Sequence, residues 1–231
     1  MRLPLLFLPL SGLAISILSA QEAPEPSSSS KEDKPNETSL HEDMVLIPGG
    51  TYTRGSQHKF AETRTEYPEE RPVHEVTVDG FWMDITEVTN QQFLKFTKAT
   101  GYRTQAERGW DRKDFPNAPL EQLKGGALIF TPPPSDVELF RPGAEWQWWQ
   151  FVQGANWRHP EGPDSDISKR MNHPVVCITH EDALAYCEWA KKRLPTEAEW
   201  ERAARGGLDR KLFIWGDKAL PGGKWQANVF Q

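Results

Sequence analysis

The sequence lacks the features that mark several common functional classes. Its 27 lysines and arginines are outnumbered by 33 aspartates and glutamates, which gives a formal net charge of −6. Nucleic-acid binding calls for a concentrated basic patch, and the sequence contains none, so we expect no nucleic-acid partner. The motifs G-x-S-x-G, H-E-x-x-H, C-x-x-C and the P-loop are also absent, and the six histidines are scattered without the spacing of metal ligands.

Cysteine is scarce, with only Cys177 and Cys187 in the chain. The two flank an expected strand-to-helix junction, and they could form a disulfide only if their side chains faced each other. Otherwise each is a small buried residue or has a partner outside this chain. The sequence leaves these alternatives open.

Tryptophan, by contrast, is abundant, with ten in 231 residues. A buried indole N–H needs a hydrogen-bond partner, so a local concentration of tryptophan calls for an explanation. Two interpretations remain open, a core rich in aromatic side chains and an aromatic groove for a peptide or a sugar. The cluster consists of Trp146, Trp148, Trp149, Trp157, Trp189 and Trp200.

The N-terminal 43 residues predict export. Arg2 precedes an apolar stretch, Leu3 to Ile17, and small residues around Ala20 suit a cleavage site, so 1–20 is predicted to be a signal peptide. The stretch is short and interrupted by proline, so we expect no stable membrane insertion after cleavage. Residues 21–43 are rich in Pro, Ser and Glu and predict a disordered linker.

The remaining residues, 44–231, predict one folded domain of the α+β class. Strands are expected at 45–47, 51–54, 73–78 and 80–84, where short apolar or alternating runs are bounded by Gly and Pro. Three helices are expected from their N-caps, Thr89, Thr179 and Thr196, and glycines are expected to end the first and third. Residues 103–176 are rich in Pro and Gly and show little periodicity, which predicts ordered loops.

Several motifs in order along the chain resemble the formylglycine-generating enzyme family, also called sulfatase-modifying factors. The resemblance covers 44–231, and it looks like the N-terminal two-thirds of the family's domain. The segment at 192–201 marks the broad superfamily, whereas the segment at 154–165 is typical of true sulfatase-modifying members. The motifs are MVLIPGG, EVTN, GANWRHPEGPDS, HPVV, KRLPTEAEWE, FIWG and ANV.

The resemblance implies a loop-rich variant of the C-type-lectin-like fold and an oxidase activity. In the family, one cysteine of a C-x-P-x-R-like segment in a sulfatase is converted to Cα-formylglycine with oxygen. The family uses copper(I) held by two thiolates, ligands that suit this soft ion. By the resemblance, the copper-ligand cysteines are expected beyond Gln231, so the domain is expected to be truncated and this chain alone to be inactive.

The resemblance also assigns residues to substrate binding. Ala106, Asp111 and Trp148 fall where the family contacts the substrate peptide, and Arg158 lies in the narrow family segment. Asp111 would accept a charge-assisted hydrogen bond from the arginine of the peptide, or it is an exposed loop carboxylate. Arg158 would contact the peptide, or it anchors its own loop through backbone carbonyls.

Two further residues, Asn228 and Val229, resemble the start of a calcium site of the family. Calcium takes six to eight oxygen ligands, so this pair alone would be a partial site. The leading hypothesis is thus an exported oxidase of the formylglycine-generating type with a sulfatase polypeptide as partner. The alternative is a non-catalytic module of the same fold that binds a peptide or a carbohydrate.

Overall fold

The computed structural model describes residue 41 and the ranges 43–55, 70–132 and 147–227, together with residue 143. The predicted signal peptide and nearly all of the predicted linker lie outside these residues. The described residues form two compact units, one within Thr86–Leu194 and the other made of 41–85 and 195–227. Among the described helices, none has the length and apolar character needed to cross a membrane.

The unit within Thr86–Leu194 contains two of the predicted helices, α1 (Asn90–Thr100) and a later one, here α4 (His180–Ala190). α1 begins after Thr89, whose side chain accepts from the backbone N–H of Gln92, and it ends at Gly101 in the left-handed conformation. α4 begins after Thr179 with a capping box completed by Asp182. Both predicted starts are confirmed, because short hydroxyl and carboxyl side chains satisfy the first N–H groups of a helix.

The core of this unit is aromatic where α1 and α4 meet. Phe93 is fully buried, with its ring 5.1 Å from that of Trp157 and 5.8 Å from that of Tyr186. Trp157 is 0% exposed, and its indole N–H has no hydrogen-bond partner among the described residues. Of the two interpretations of the tryptophan cluster, Trp157 therefore fits the core, whereas Trp189 lies at the surface.

Four elements occupy the stretch that was predicted to be loops. They are α2 (Gln105–Arg108), α3 (Leu120–Leu123), β5 (Gly126–Phe130) and β6 (Trp149–Gln153). β5 and β6 pair antiparallel, from Gly126 opposite Gln153 to Phe130 opposite Trp149. The stretch is thus more regular than predicted, since it holds a β-ribbon and two helices of a single turn.

The second unit contains the four predicted strands. β1 (Met44–Ile47) pairs antiparallel with β4 (Phe81–Asp84), and β2 (Gly50–Arg54) pairs antiparallel with β3 (His74–Val78). Phe81 and Met83 are the buried residues of its small core.

The same unit holds α5 (Glu197–Arg205) and a short 3₁₀ turn, Pro221–Gly223. α5 has the predicted capping box of Thr196 and Glu199 and the predicted end at Gly206. The α+β class is confirmed, since helices and three two-stranded antiparallel sheets occur together in the described part of the chain.

Candidate functional site

A cleft of about 560 Å³ opens in the unit within Thr86–Leu194. One wall is α2 with the preceding Arg103, and the opposite wall is the segment 153–159, which carries the family-like sequence. Lys124 and Gly125, just before β5, complete the lining. The cleft therefore lies where the most specific sequence motif meets elements that the sequence did not predict.

A buried carboxylate holds α2 in place. Asp182, at the start of α4, is 0% exposed and accepts from the Tyr102 hydroxyl (2.9 Å) and from the Gln105 backbone N–H (3.1 Å). Its second oxygen accepts from the backbone N–H of Thr179 (2.8 Å). Burial, with the hydrogen bond to Asp182, raises the pKa of Tyr102 to about 12. The N-cap of one helix is thereby tied to the first residue of another.

Two glycines let α2 approach the neighbouring backbone closely. A Cβ on Gly125 would lie 2.3 Å from the carbonyl oxygen of Ala106, and one on Gly109 would lie 2.5 Å from that of Leu123. Gly109 also has a φ of +78°, which favours glycine. On this side of the cleft, the main chain of α2 therefore packs directly against the neighbouring main chain, with no side chain between them.

An ion pair crosses the cleft between its two walls. The Glu107 carboxylate lies 3.5 Å from Nε of Arg158, and its other oxygen accepts from the backbone N–H of Thr104 (2.8 Å) and from the hydroxyl of that residue (3.0 Å). Arg158 also donates to the hydroxyl of Thr97 (3.2 Å), and its guanidinium lies 4.1 Å from the Trp157 ring centre. Because Glu107 and Arg158 each have further contacts on their own side, the ion pair is a fixed part of the cleft lining.

The segment after Gly154 is held by local hydrogen bonds. The Asn156 side chain accepts from the backbone N–H of Arg158 and donates to the carbonyl of Gly154, both at 2.9 Å. Nδ1 of His159 lies 2.6 Å from the carbonyl oxygen of Ser165. These contacts explain structurally why this segment contains Asn156 and His159.

Two of the four predicted substrate-binding residues line the cleft. Ala106 and Arg158 lie on opposite walls. Asp111 is exposed after α2, and its carboxylate accepts from the backbone N–H of Lys113 (2.8 Å). Trp148 is half-buried just before β6, where its carbonyl accepts from Thr131 (2.7 Å). Neither of the latter two contributes to the cleft lining, and the substrate contacts of all four residues stay predictions.

The sequence predicted Arg158 but not the other four charged residues of the cleft, Arg103, Glu107, Arg108 and Lys124. Glu107 had a detectable signal, because Thr104 and Glu107 have the spacing of a capping box. Arg103, Arg108 and Lys124 had none, since single cations in a loop-rich stretch are usually solvated.

The two cysteines lie in different settings and do not form a disulfide with each other. Cys177 is half-buried with a φ of 58°, and its Sγ lies 3.8 Å from the carbonyl oxygen of Pro160. Burial, and secondarily the negative charge of Glu161, raises the pKa of the Cys177 thiol to about 11. Cys187 is 2% exposed within the aromatic core.

Neither setting fits copper(I), which takes thiolate ligands. Sγ of Cys177 lies against the carbonyl oxygen of Pro160, and Cys187 is enclosed by core side chains, so the described residues bring no two thiolates together for the ion. Among the described residues, no group of three His, Cys, Asp or Glu is placed to hold a metal ion. Asn228 and Val229, the predicted calcium ligands, lie outside the described residues.

A sequence model described as the sulfatase-modifying factor enzyme 1-like domain matches residues 29–231. The chain is similar to formylglycine-generating enzyme of Mus musculus, with 46% identity over 188 residues, which cover 81% of this chain and 46% of that protein. It is also similar to formylglycine-generating enzyme of Mycobacterium tuberculosis, with 47% identity over 190 residues (82% and 60%).

A third relative carries a different description. The chain is 38% identical over 195 residues to the inactive Cα-formylglycine-generating enzyme 2 of Bos taurus, and the match covers 81% of this chain and 56% of that protein. The chain thus spans about half the length of the curated relatives that it matches.

Proposed function

The chain belongs to the sulfatase-modifying factor family, and we propose that its protein oxidises a cysteine of an exported sulfatase to Cα-formylglycine. The client cysteine would lie in a C-x-P-x-R-like segment. Its Cβ–S bond would be replaced by a C=O bond and the sulfur would leave as sulfide. Oxygen would be reduced to water by four electrons, two from the Cβ and two from a thiol reductant. The observation that carries the proposal is the cleft, which joins Ala106 to the family-like segment around Arg158. The proposal includes the C-type-lectin-like variant of the fold and export through the N-terminal signal.

The described residues of this chain would serve the reaction by holding the client peptide. Ala106 is 8% exposed and presents a small side chain, so a peptide backbone could approach the α2 wall closely. Asp111 is exposed, and its carboxylate forms a surface pair with the Lys113 ammonium at 3.4 Å. Exposed pairs of this kind contribute little, so the arginine of the client would displace the lysine and form stronger, charge-assisted hydrogen bonds with the carboxylate. Because neither cysteine fits copper, no redox step is assigned to Cys177 or Cys187.

A binding measurement tests the proposal. A fluorescent C-x-P-x-R peptide is titrated with the full 231-residue chain, and its Kd is followed by anisotropy. We expect Asp111→Asn to weaken binding about tenfold, since a charge-assisted hydrogen bond is lost at an exposed site. Replacing the peptide arginine with glutamine should produce the same loss, and the two losses should not add.

The matched control is Asp114→Asn, which removes an equally exposed carboxylate three residues away. It should leave Kd unchanged. If a peptide with the same composition in scrambled order binds as tightly as the C-x-P-x-R peptide, the proposed client is wrong.

A second candidate is a non-catalytic peptide- or carbohydrate-binding module. The polar and charged lining of the cleft supports it, because binding a peptide or a carbohydrate there needs no thiolate. The two candidates differ in product: mass spectrometry of the peptide after incubation with copper(I), oxygen and a thiol reductant would detect the aldehyde. We expect binding without conversion from the 231-residue chain, and aldehyde formation by it would refute the assignment of the cysteines.

A further inference from the structure

The cleft carries an excess of positive charge that the proposed reaction does not use. Four cations line it, Arg103, Arg108, Lys124 and Arg158, against the single carboxylate of Glu107. The chain as a whole has a formal net charge of −6, so the cleft has the sign opposite to that of the molecule.

The carboxylate of Glu107 does not compensate this excess. One of its oxygens pairs with Arg158 at 3.5 Å, and the other accepts from the backbone and hydroxyl of Thr104. It therefore neutralises one of the four cations and has no oxygen left over for the others.

Within the described residues, the guanidinium groups of Arg103 and Arg108 donate only to neutral acceptors. Arg103 donates to the backbone carbonyl of Glu107 (2.9 Å), and Arg108 donates to the side-chain oxygen of Gln105 (3.2 Å). Within the described part of the chain, neither has a carboxylate within 4.0 Å. Both side chains are exposed, so a ligand can reach them.

Lys124 is paired weakly. Its Nζ lies 2.6 Å from the Glu121 carboxylate, but the two side chains are 52% and 72% exposed. An exposed pair of this kind contributes little stability and exchanges readily for another carboxylate.

We propose that Arg103, Arg108 and Lys124, here called the cationic rim, bind an acidic side chain of the client polypeptide that flanks the C-x-P-x-R segment. The inference rests on the proposed function and deepens it, since it adds a second determinant to client recognition. A guanidinium offers two parallel N–H groups that match a carboxylate. The rim is close enough to the cleft to act on the same bound peptide, because its residues line the cleft itself.

Three fluorescent peptides test the proposal with the full chain. The first has the C-x-P-x-R segment flanked by aspartates, the second has asparagines in their place, and the third keeps the aspartates but scrambles the segment. We expect the first to bind about tenfold more tightly than the second at low salt. Screening should reduce the advantage to about twofold at high salt.

The variant that removes the rim arginines is Arg103→Gln with Arg108→Gln. Both side chains are exposed, and an unchanged Tm would show that the fold is kept. We expect the preference for aspartate to fall from about tenfold to about twofold in this variant. The control is Lys95→Gln, an exposed cation of α1 outside the cleft, which should keep the full preference.

The outcomes separate the two proposals. Equal affinity for the aspartate and asparagine peptides, or a preference that survives loss of both arginines, overturns the cationic rim and leaves the proposed function standing. Binding of the scrambled aspartate peptide as tightly as the first supports the rim and contradicts the C-x-P-x-R client. Full competition by inorganic phosphate but none by acetate would overturn the carboxylate as the ligand.

Discussion

Replacing Asp182 should destabilise the protein far more than replacing an ordinary helix-cap residue. The Asp182→Ala change would leave three donors without their acceptor, namely the Tyr102 hydroxyl and the backbone N–H groups of Gln105 and Thr179. The Asp182 side chain is 0% exposed and the residues that donate to it are half-buried, so water would replace the lost acceptor only in part. The change would also release the start of α2 from the N-cap of α4.

The expected magnitude follows from the cost of unpaired buried donors. Each costs about 1–3 kcal/mol, and the hydroxyl of Tyr102 can rotate toward another acceptor. We therefore expect Asp182→Ala to lower the free energy of unfolding by about 3–5 kcal/mol, a large share of the roughly 5–15 kcal/mol of a typical domain. Asp182→Asn should cost about 2–3 kcal/mol, because its amide N–H₂ would face a donor.

The assay is urea unfolding followed by tryptophan fluorescence, with Gln92→Ala as the matched control. Gln92 has the same capping-box position in α1, but within the described residues its side-chain oxygen accepts hydrogen bonds only from Thr89. Loss of that contact should cost about 1 kcal/mol. Equal losses for Asp182→Ala and Gln92→Ala would refute the reasoning, because the ties to Tyr102 and Gln105 would then contribute nothing.

Three other measurements follow from the structure. The pKa of Tyr102 is about 12 in the folded state, whereas that of an unfolded tyrosine is near 10, so the free energy of unfolding should fall as pH rises between these values. Tyr102→Phe should flatten this part of the plot of unfolding free energy against pH. Cys177 should react with iodoacetamide at pH 8 about 100-fold more slowly in the folded chain than in urea, and mass spectrometry of the modified peptide would reveal an ordinary rate if its burial is wrong. Gly125→Ala should lower the free energy of unfolding in urea by about 2–3 kcal/mol. Gly80→Ala is the control and should cost less than about 1 kcal/mol, because its added Cβ would lie 3.4 Å from the nearest atom, an ordinary contact; similar losses would contradict the close approach of α2.

The helices with complete caps were predictable because their signals are local. Thr89, Thr179 and Thr196 each begin a helix as expected, and Gly101 and Gly206 each follow one. The four strands of the second unit were equally visible, since short apolar runs are bounded there by turn residues.

The elements around the cleft were not predictable from periodicity. α2 and α3 have four residues each, little more than one turn, so they cannot display a helical repeat. β5 and β6 are separated by residues 131–148, which is far from the short turn that announces a hairpin. The Asp182 ties were equally hidden, because they join residues nearly eighty positions apart.

The site was predictable only through family resemblance, and then only in part. Of the residues that the resemblance assigned, Ala106 and Arg158 line the cleft, whereas Asp111 and Trp148 lie outside its lining. Arg103 and Arg108 could be assigned to the cleft only from their neighbours in the folded structure, and no pattern along the sequence identifies those neighbours.

The close approach at Gly109 and Gly125 has a consequence for how recognition can change over evolutionary time. At these two glycines the wall is main chain packed on main chain, while the charged side chains of Arg103, Arg108 and Lys124 are exposed. Substitutions at 103, 108 and 124 can therefore accumulate almost freely, one at a time, without displacing the α2 wall. A lineage could therefore acquire new clients through the rim, whereas any side chain at 109 or 125 would push the α2 wall away from its neighbour.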